Sequence, residues 1–190
     1  MASIRGEAVD RVPFAFWLHN FAQEYSAAAL ADETLRLYTL FDWDFLKPQS
    51  PWHCFGEMWG LQCAPSKDRA QAPLVTQLPV KRLADFGNLE PADPATGALA
   101  VQLEAMKMVR DRVGPDVPVV ATIFSPIMSA AFMVPGGLAA VGKLMREYPE
   151  EFERGLSAIA DTLAGYARLC VENDLDGIAV GARAPRFVLP

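Results

Sequence analysis

Apolar residues along this chain fall into two kinds of pattern, short continuous runs and wider helical spacings, and the two alternate. Val12 to His19 (VPFAFWLH) is a continuous, aromatic-rich run bounded by polar residues, the pattern of a strand covered on both faces. Leu30, Thr34, Leu37 and Phe41 then recur at steps of four, three and four, which puts them on one face of a helix ending near Asp42. Phe45 to Gln49 predicts a second, shorter strand, cut off by Pro48 and Pro51 because proline cannot donate to a ladder.

Residues 61–96 are less regular and read as an insertion, in which LVTQLPV is a strand or an extended arm. Leu99, Leu103, Met106, Val109 and Val113 mark the next helix, closed by Gly114 and Pro115. VPVVATIF, residues 117–124, is β-branched and uninterrupted and predicts a strand ending at Ser125-Pro126. Pro135-Gly136-Gly137 turns the chain into a helix bearing Leu138, Val141, Leu144 and Met145. A long helix follows from Tyr148-Pro149, where proline at the first position loses no hydrogen bond and Glu150, Glu151 and Glu153 meet the positive helix end. Phe152, Leu156, Ile159, Leu163, Ala167 and Cys170 carry its apolar stripe to about Asn173, and Asp176 to Val180 predicts a fourth strand. Strands alternating with helices imply an α/β fold with a parallel sheet. The last residues, 181–190, show neither period nor cap.

Composition narrows the class. The 190 residues suffice for one domain, expected over 1–190, that buries roughly 70% of its unfolded surface. The 52% apolar and 21% charged residues, both signs scattered, describe an ordinary globular protein. A net charge of -6 without a basic block argues against nucleic acid or an anionic membrane as partner. No run of about 18 apolar residues occurs and the N-terminus is charged, so a cytoplasmic protein is expected. Cys54, Cys63 and Cys170, an odd number without framework spacing, fit a reducing compartment without disulfides.

Several segments in order resemble the uroporphyrinogen decarboxylase family. These are R-V-P-F-A-F-W (Arg11 to Trp17) with Glu24-Tyr25 behind it, E-M-W-G (Glu57 to Gly60), F-S-P-x-x-x-A-A (Phe124 to Ala131), and Y-P-E before a long helix delivering D-G-I. The resemblance runs from about Gly6 to Ile178 and implies part of a TIM (β/α)8-type barrel, about the first four βα units. It also implies carboxy-lyase chemistry on a tetrapyrrole or related carboxylated substrate, with no cofactor. In the decarboxylase proper, arginines after strand one grip substrate carboxylates, a task suited to a planar fork that stays charged, and an aspartate ends strand two. Here no arginine lies between Arg11 and Arg36, Asp42 and Asp44 precede the second strand, and that strand ends Lys47-Pro48-Gln49-Ser50. The family is also similar to corrinoid-dependent methyltransferases, which activate a thiol on zinc held by an H-x-C pair and a distant cysteine in the later half of the barrel. The histidine–cysteine pair of this chain, His53-Cys54, is adjacent and early.

Barrel enzymes place reacting groups at the C-terminal ends of strands. That selects His19 and Asn20 after strand one, Lys47, Gln49, Trp52, His53 and Glu57 after strand two, and Ser125 after strand three. His19 is a candidate general acid or base, with an unperturbed pKa of about 6.5, or else a hydrogen-bonded structural histidine. His53, oriented by Glu57 and flanked by Trp52, lines a substrate cavity or staples a loop onto Trp59. Lys47 neutralises a substrate anion or is solvated, Asn20 and Gln49 offer polar contacts, and Ser125 is a positioning hydroxyl without the turn of a nucleophile elbow. Phe14, Phe16, Trp17, Trp52, Phe55 and Trp59 form either core or the wall for a flat macrocycle. No metal ligand set emerges, zinc or a corrinoid being implied only on the methyltransferase alternative. The third reading is an inactive, truncated barrel fragment. An open half-barrel leaves unpaired strand edges, so the expected partners are a second copy or a complementary half-barrel, besides a small-molecule substrate.

Overall fold

In the computed structural model the described residues are 5–182. Helix α1, Ala27–Phe41, starts where the Ser26 hydroxyl accepts from the Ala29 amide at 3.2 Å and ends on Asp42, whose φ of +49° is left-handed. Leu30, Thr34 and Leu37 are buried as their spacing requires, and Phe41 is exposed. A short helix α2, Cys54–Glu57, leads into an antiparallel pair, β1 (Gln62–Ala64) and β2 (Leu74–Gln77), and then a 3-10 helix at Leu83–Asn88. Helix α3, Gly97–Val113, packs on α1, with Leu99, Met106 and Val109 buried. Strand β3, Val120–Phe124, runs parallel to β4, Gly177–Gly181, in register from Val120↔Gly177 to Phe124↔Gly181. Between them lie α4 (Pro126–Met133), α5 (Gly137–Glu147) and α6 (Pro149–Glu172).

The fold is mixed α/β. Two two-stranded sheets and one isolated bridge make up its β-structure among the described residues, and these do not close a barrel. The strand expected over Val12–His19 is extended chain without a ladder. Its sole backbone partner is Asp44, whose N–H donates to the Phe14 carbonyl at 3.0 Å while its carboxylate takes the Phe14 N–H and the Arg11 guanidinium. With no strand alongside, the covering expected on both faces is missing, and Val12, Phe16, Trp17 and Leu18 are exposed. The second expected strand shrinks to a parallel bridge at Leu46, which accepts from Val120 N and donates to Pro118 O, both at 2.8 Å. Pro48 stops its growth.

The expected insertion, residues 61–96, holds the hairpin and the 3-10 helix, and it clasps the chain after the first segment. Phe21 N–H donates to Arg69 O at 3.1 Å, and Ser66 N–H donates to the Tyr25 hydroxyl at 2.7 Å. Helix α4 begins at Ser125-Pro126, where the strand is expected to end, and is not among the expected elements. Its sequence PIMSAAFM is apolar almost all round and so lacks an amphipathic stripe, yet Ser125 caps it and Pro126 sits at its first position. On α6 the buried stripe is rotated from the expected one toward Gly155, Ala158, Ile159, Thr162, Leu163, Tyr166 and Cys170, leaving Phe152, Leu156 and Ala167 only partly covered. The rotation follows from close approach: a Cβ on Gly155 would clash with the Phe86 carbonyl and ring, and one on Gly87 would come within 2.9 Å of Glu151 Cα.

The core runs between these helices and β3, with Phe55 edge-on to both Phe124 and Tyr166 at 5.2 and 6.5 Å between centroids. Arg110 ties the parallel strands to α3 by donating to the carbonyls of Gly114, Val117 and Asp174 and to the Asp176 carboxylate, which also takes the Val119 N–H. The structureless tail expected at 181–190 lies outside the described residues apart from Gly181, which ends β4, and Ala182. Among the described residues no single helix is long and apolar enough to cross a membrane.

Candidate functional site

The chain from His19 to Ser26 has no regular structure, and its polar groups are satisfied by side chains rather than by a ladder. His19 Nδ1–H donates to Glu24 Oε1 at 2.7 Å, and the same oxygen accepts the Asn20 N–H at 3.1 Å. On the other side of the ring the Gln49 amide donates to His19 Nε2 at 2.9 Å. The ring is thus held on both edges, by the Glu24 carboxylate at Nδ1 and the Gln49 amide at Nε2, and Phe21 stacks on its face at 4.6 Å. Asn20 donates its amide to Glu33 Oε1 on α1 at 3.0 Å. Glu33 also takes two bonds from Arg36, and that guanidinium foremost holds its carboxyl below the usual value, against the effect of burial.

A second cluster lies on α2. The carboxylate of Glu57 accepts from His53 Nδ1 at 2.7 Å, one helical turn apart. Tyr25 stacks on the His53 ring at 6.0 Å and Trp52 meets it edge-on at 5.6 Å. Trp59, by contrast, spends its indole N–H on Glu90 O at 2.7 Å. Glu24, Tyr25, His53, Cys54, Glu57 and Gln102 are among the residues lining one cavity of about 90 Å³. Glu24 thus belongs to both clusters.

His19, Asn20 and Gln49 therefore come together, as do Trp52, His53 and Glu57. Lys47 joins the first group through Trp17, its ammonium 4.6 Å from the indole centroid, and burial lowers its pKa. Ser125 uses its hydroxyl to accept from Met128 N at 3.4 Å as the α4 cap, and its N–H donates to Gly181 O. The aromatic set divides: Phe55 is core, whereas Phe14, Phe16 and Trp17 are exposed. Trp52 packs on Phe132, which touches Phe124 at the end of β3.

Sequence reasoning passed over Glu24 and Gln102. Glu24 is 3% exposed, and the Glu24-Tyr25 pair served only as a family mark. Gln102 is also 3% exposed and falls on the apolar stripe of α3 between Leu99 and Met106, a polar residue at a core position that was the available signal. Glu24 Oε2, Gln49 Oε1, Ser50 Oγ, His53 Nε2 and Gln102 Oε1 are all buried without a hydrogen-bond partner among the described residues. Such atoms mark places where the protein forgoes stability.

The fold is mixed α/β, and His19 and His53 are each held by a carboxylate in the loops and the short helix ahead of α3. The chain matches the uroporphyrinogen decarboxylase (URO-D) family over residues 1–185 and belongs to it. It is 32% identical over 109 residues to the methylcobamide:CoM methyltransferase MtaA of Methanosarcina barkeri strain Fusaro, covering 57% of this chain and 31% of that protein. A second Methanosarcina barkeri MtaA is 26% identical over 194 aligned positions, covering 95% of this chain and 56% of its own length. In structure, a methyltransferase from Methanosarcina mazei superposes with a TM-score of 0.73 at 22% identity, over 94% of this chain and 56% of that one. The chain spans about half the length, or less, of these relatives.

Zinc finds no fit in the early His53-Cys54 pair. Cys54 is fully buried, and burial, then Glu57 and Glu24, push its thiol far from ionising. Among the described residues no three His, Cys, Asp or Glu side chains gather to hold a metal ion.

Proposed function

We propose that this chain builds one side of the pocket of a URO-D-family methyltransferase, moving a methyl group from a methylated corrinoid to a thiol, and not of a decarboxylase acting on tetrapyrrole carboxylates. The observation that carries this reading is the charge of the mouth. A highly carboxylated substrate calls for guanidinium forks. Arg11 is instead committed to Asp42 and Asp44, and Arg36 to Glu33. Among the described residues Lys47 is the one cation lining the small pocket beside Gln49, and it rests on Trp17, with Glu24 and Glu33 lining the same pocket. A methyl group and a thiol ask for no such forks. The names of the relatives, methylcobamide:CoM methyltransferases, support the same choice.

In this reading the chain's own residues position and orient. Glu24 sets the His19 tautomer, Gln49 covers Nε2, and a substrate group that competes for that nitrogen displaces the amide, so His19 and Gln49 act together. Asn20 holds the loop to α1. No step is routed through a metal.

Incubation with methylcobalamin and CoM should demethylate the corrinoid and yield the S-methyl product. Release of carbon dioxide from uroporphyrinogen, without methyl transfer, would overturn the reading. Neither product would favour the inactive fragment.

The partial barrel is part of the same proposal. Leu46, β3 and β4 would be consecutive parallel staves, and a complementary half-barrel would cover exposed Val12, Phe16, Trp17, Leu18 and Val180. Sedimentation as a compact monomer would count against that partner.

A further inference from the structure

The cavity of about 90 Å³ beneath α2 has an unbalanced set of polar groups. Three of its lining residues each keep one polar atom buried and unpartnered, namely Glu24 Oε2, His53 Nε2 and Gln102 Oε1, and each residue is 3% exposed. With the His53 proton on Nδ1 toward Glu57, all three atoms are acceptors. Glu24 and Glu57 bring two negative charges, and among the described residues no lysine or arginine lines the cavity. Ala98 and Val101 of α3, with Pro51, supply an apolar wall.

We propose that this cavity binds a small primary ammonium ion, R–NH3+, with its three N–H donors on Glu24, His53 and Gln102 and its short alkyl group against Ala98 and Val101. An ammonium nitrogen sits about 2.8–3.0 Å from its acceptors, whereas a metal draws nitrogen and oxygen ligands to about 2.0–2.2 Å. Net charge and acceptor count thus select a cation that donates hydrogen bonds. The inference does not rest on the reaction proposed above, because it concerns binding alone.

The sequence contains two histidines, so a protein labelled with 15N-histidine gives two sets of imidazole signals. At about pH 8, where an ordinary imidazole is neutral, ethylammonium chloride should shift the His53 set saturably, with a smaller shift of His19 carried through the Glu24 carboxylate they share. For a ligand of three heavy atoms the tightest expected Kd is on the order of a millimolar. Gln102→Met, which removes one acceptor at similar size, should weaken binding about tenfold. Potassium chloride at equal concentration should leave His53 unshifted. If potassium and ethylammonium act alike, or neither moves His53, the cavity holds water or nothing specific and the proposal is wrong. That comparison uses the unmodified protein and stands even if Gln102→Met does not fold.

Discussion

Glu24→Ala and Glu24→Gln are expected to part company. In the native protein Glu24 Oε1 accepts both the His19 Nδ1–H at 2.7 Å and the Asn20 N–H at 3.1 Å, and its side chain is 2% exposed. Alanine removes the acceptor from both donors at a site water does not reach freely. Each bond to a charged acceptor contributes about 1.5–3 kcal/mol, so the pair amounts to about 3–6 kcal/mol. In a chain of 190 residues this corresponds to a fall in Tm on the order of 10 °C. Glutamine keeps an oxygen in the same place, loses only the charge, and should cost less than half as much. Thermal unfolding followed by circular dichroism measures both variants, and imidazole 15N shifts report whether the His19 proton stays on Nδ1. An alanine variant within about 0.5 kcal/mol of the parent, or a His19 tautomer indifferent to the loss of Glu24, would refute the claim that this carboxylate organises the mouth.

Gly155→Ala should destabilise the protein by about 1–3 kcal/mol or more, since its new methyl meets the Phe86 carbonyl and ring, and a urea midpoint unchanged from the parent would disprove that contact. Asp44 is held below its ordinary pKa of 3.8 by the Phe14 N–H and then by Arg11, so its stabilisation is full above that value and drains away as pH falls through the lower, folded value. Asp44→Asn should therefore differ from the parent at about pH 7 and the gap should narrow as the pH falls below 3.8, as read by urea midpoints, and a constant gap would contradict the assignment. Iodoacetamide on the native protein should label Cys63 first, because Cys54 is buried with its thiol pushed far up and burial holds the Cys170 thiol at about 11, and peptide mass spectrometry gives the order.

Periodicity revealed α1, α3, α5, α6, β3 and β4 nearly to their ends, because each presents one buried stripe or one unbroken β-branched run. It failed where the pattern depends on a neighbour. Val12 to His19 has the composition of a buried strand, but a strand exists only when another lies beside it, and here only Asp44 does. The apolar run of α4 carried no stripe to find. The site was half legible in the same way. Position along the barrel pattern picked His19, Asn20, Gln49, His53 and Glu57, whose partnerships the structure supplies. Glu24 was hidden because it lies five positions after His19 in a loop without period, and Gln102 because a single polar residue in an apolar stripe reads as noise until its burial is known.

On the proposed function this mouth suits a methyl-bearing corrinoid better than a cluster of carboxylates. A ligand that binds only the folded chain raises its Tm, so thermal unfolding with methylcobalamin and, separately, with uroporphyrin compares the two directly. Methylcobalamin should raise the Tm and uroporphyrin should leave it unchanged. A rise with uroporphyrin alone would mean that the carboxylates find cations this structure does not offer them.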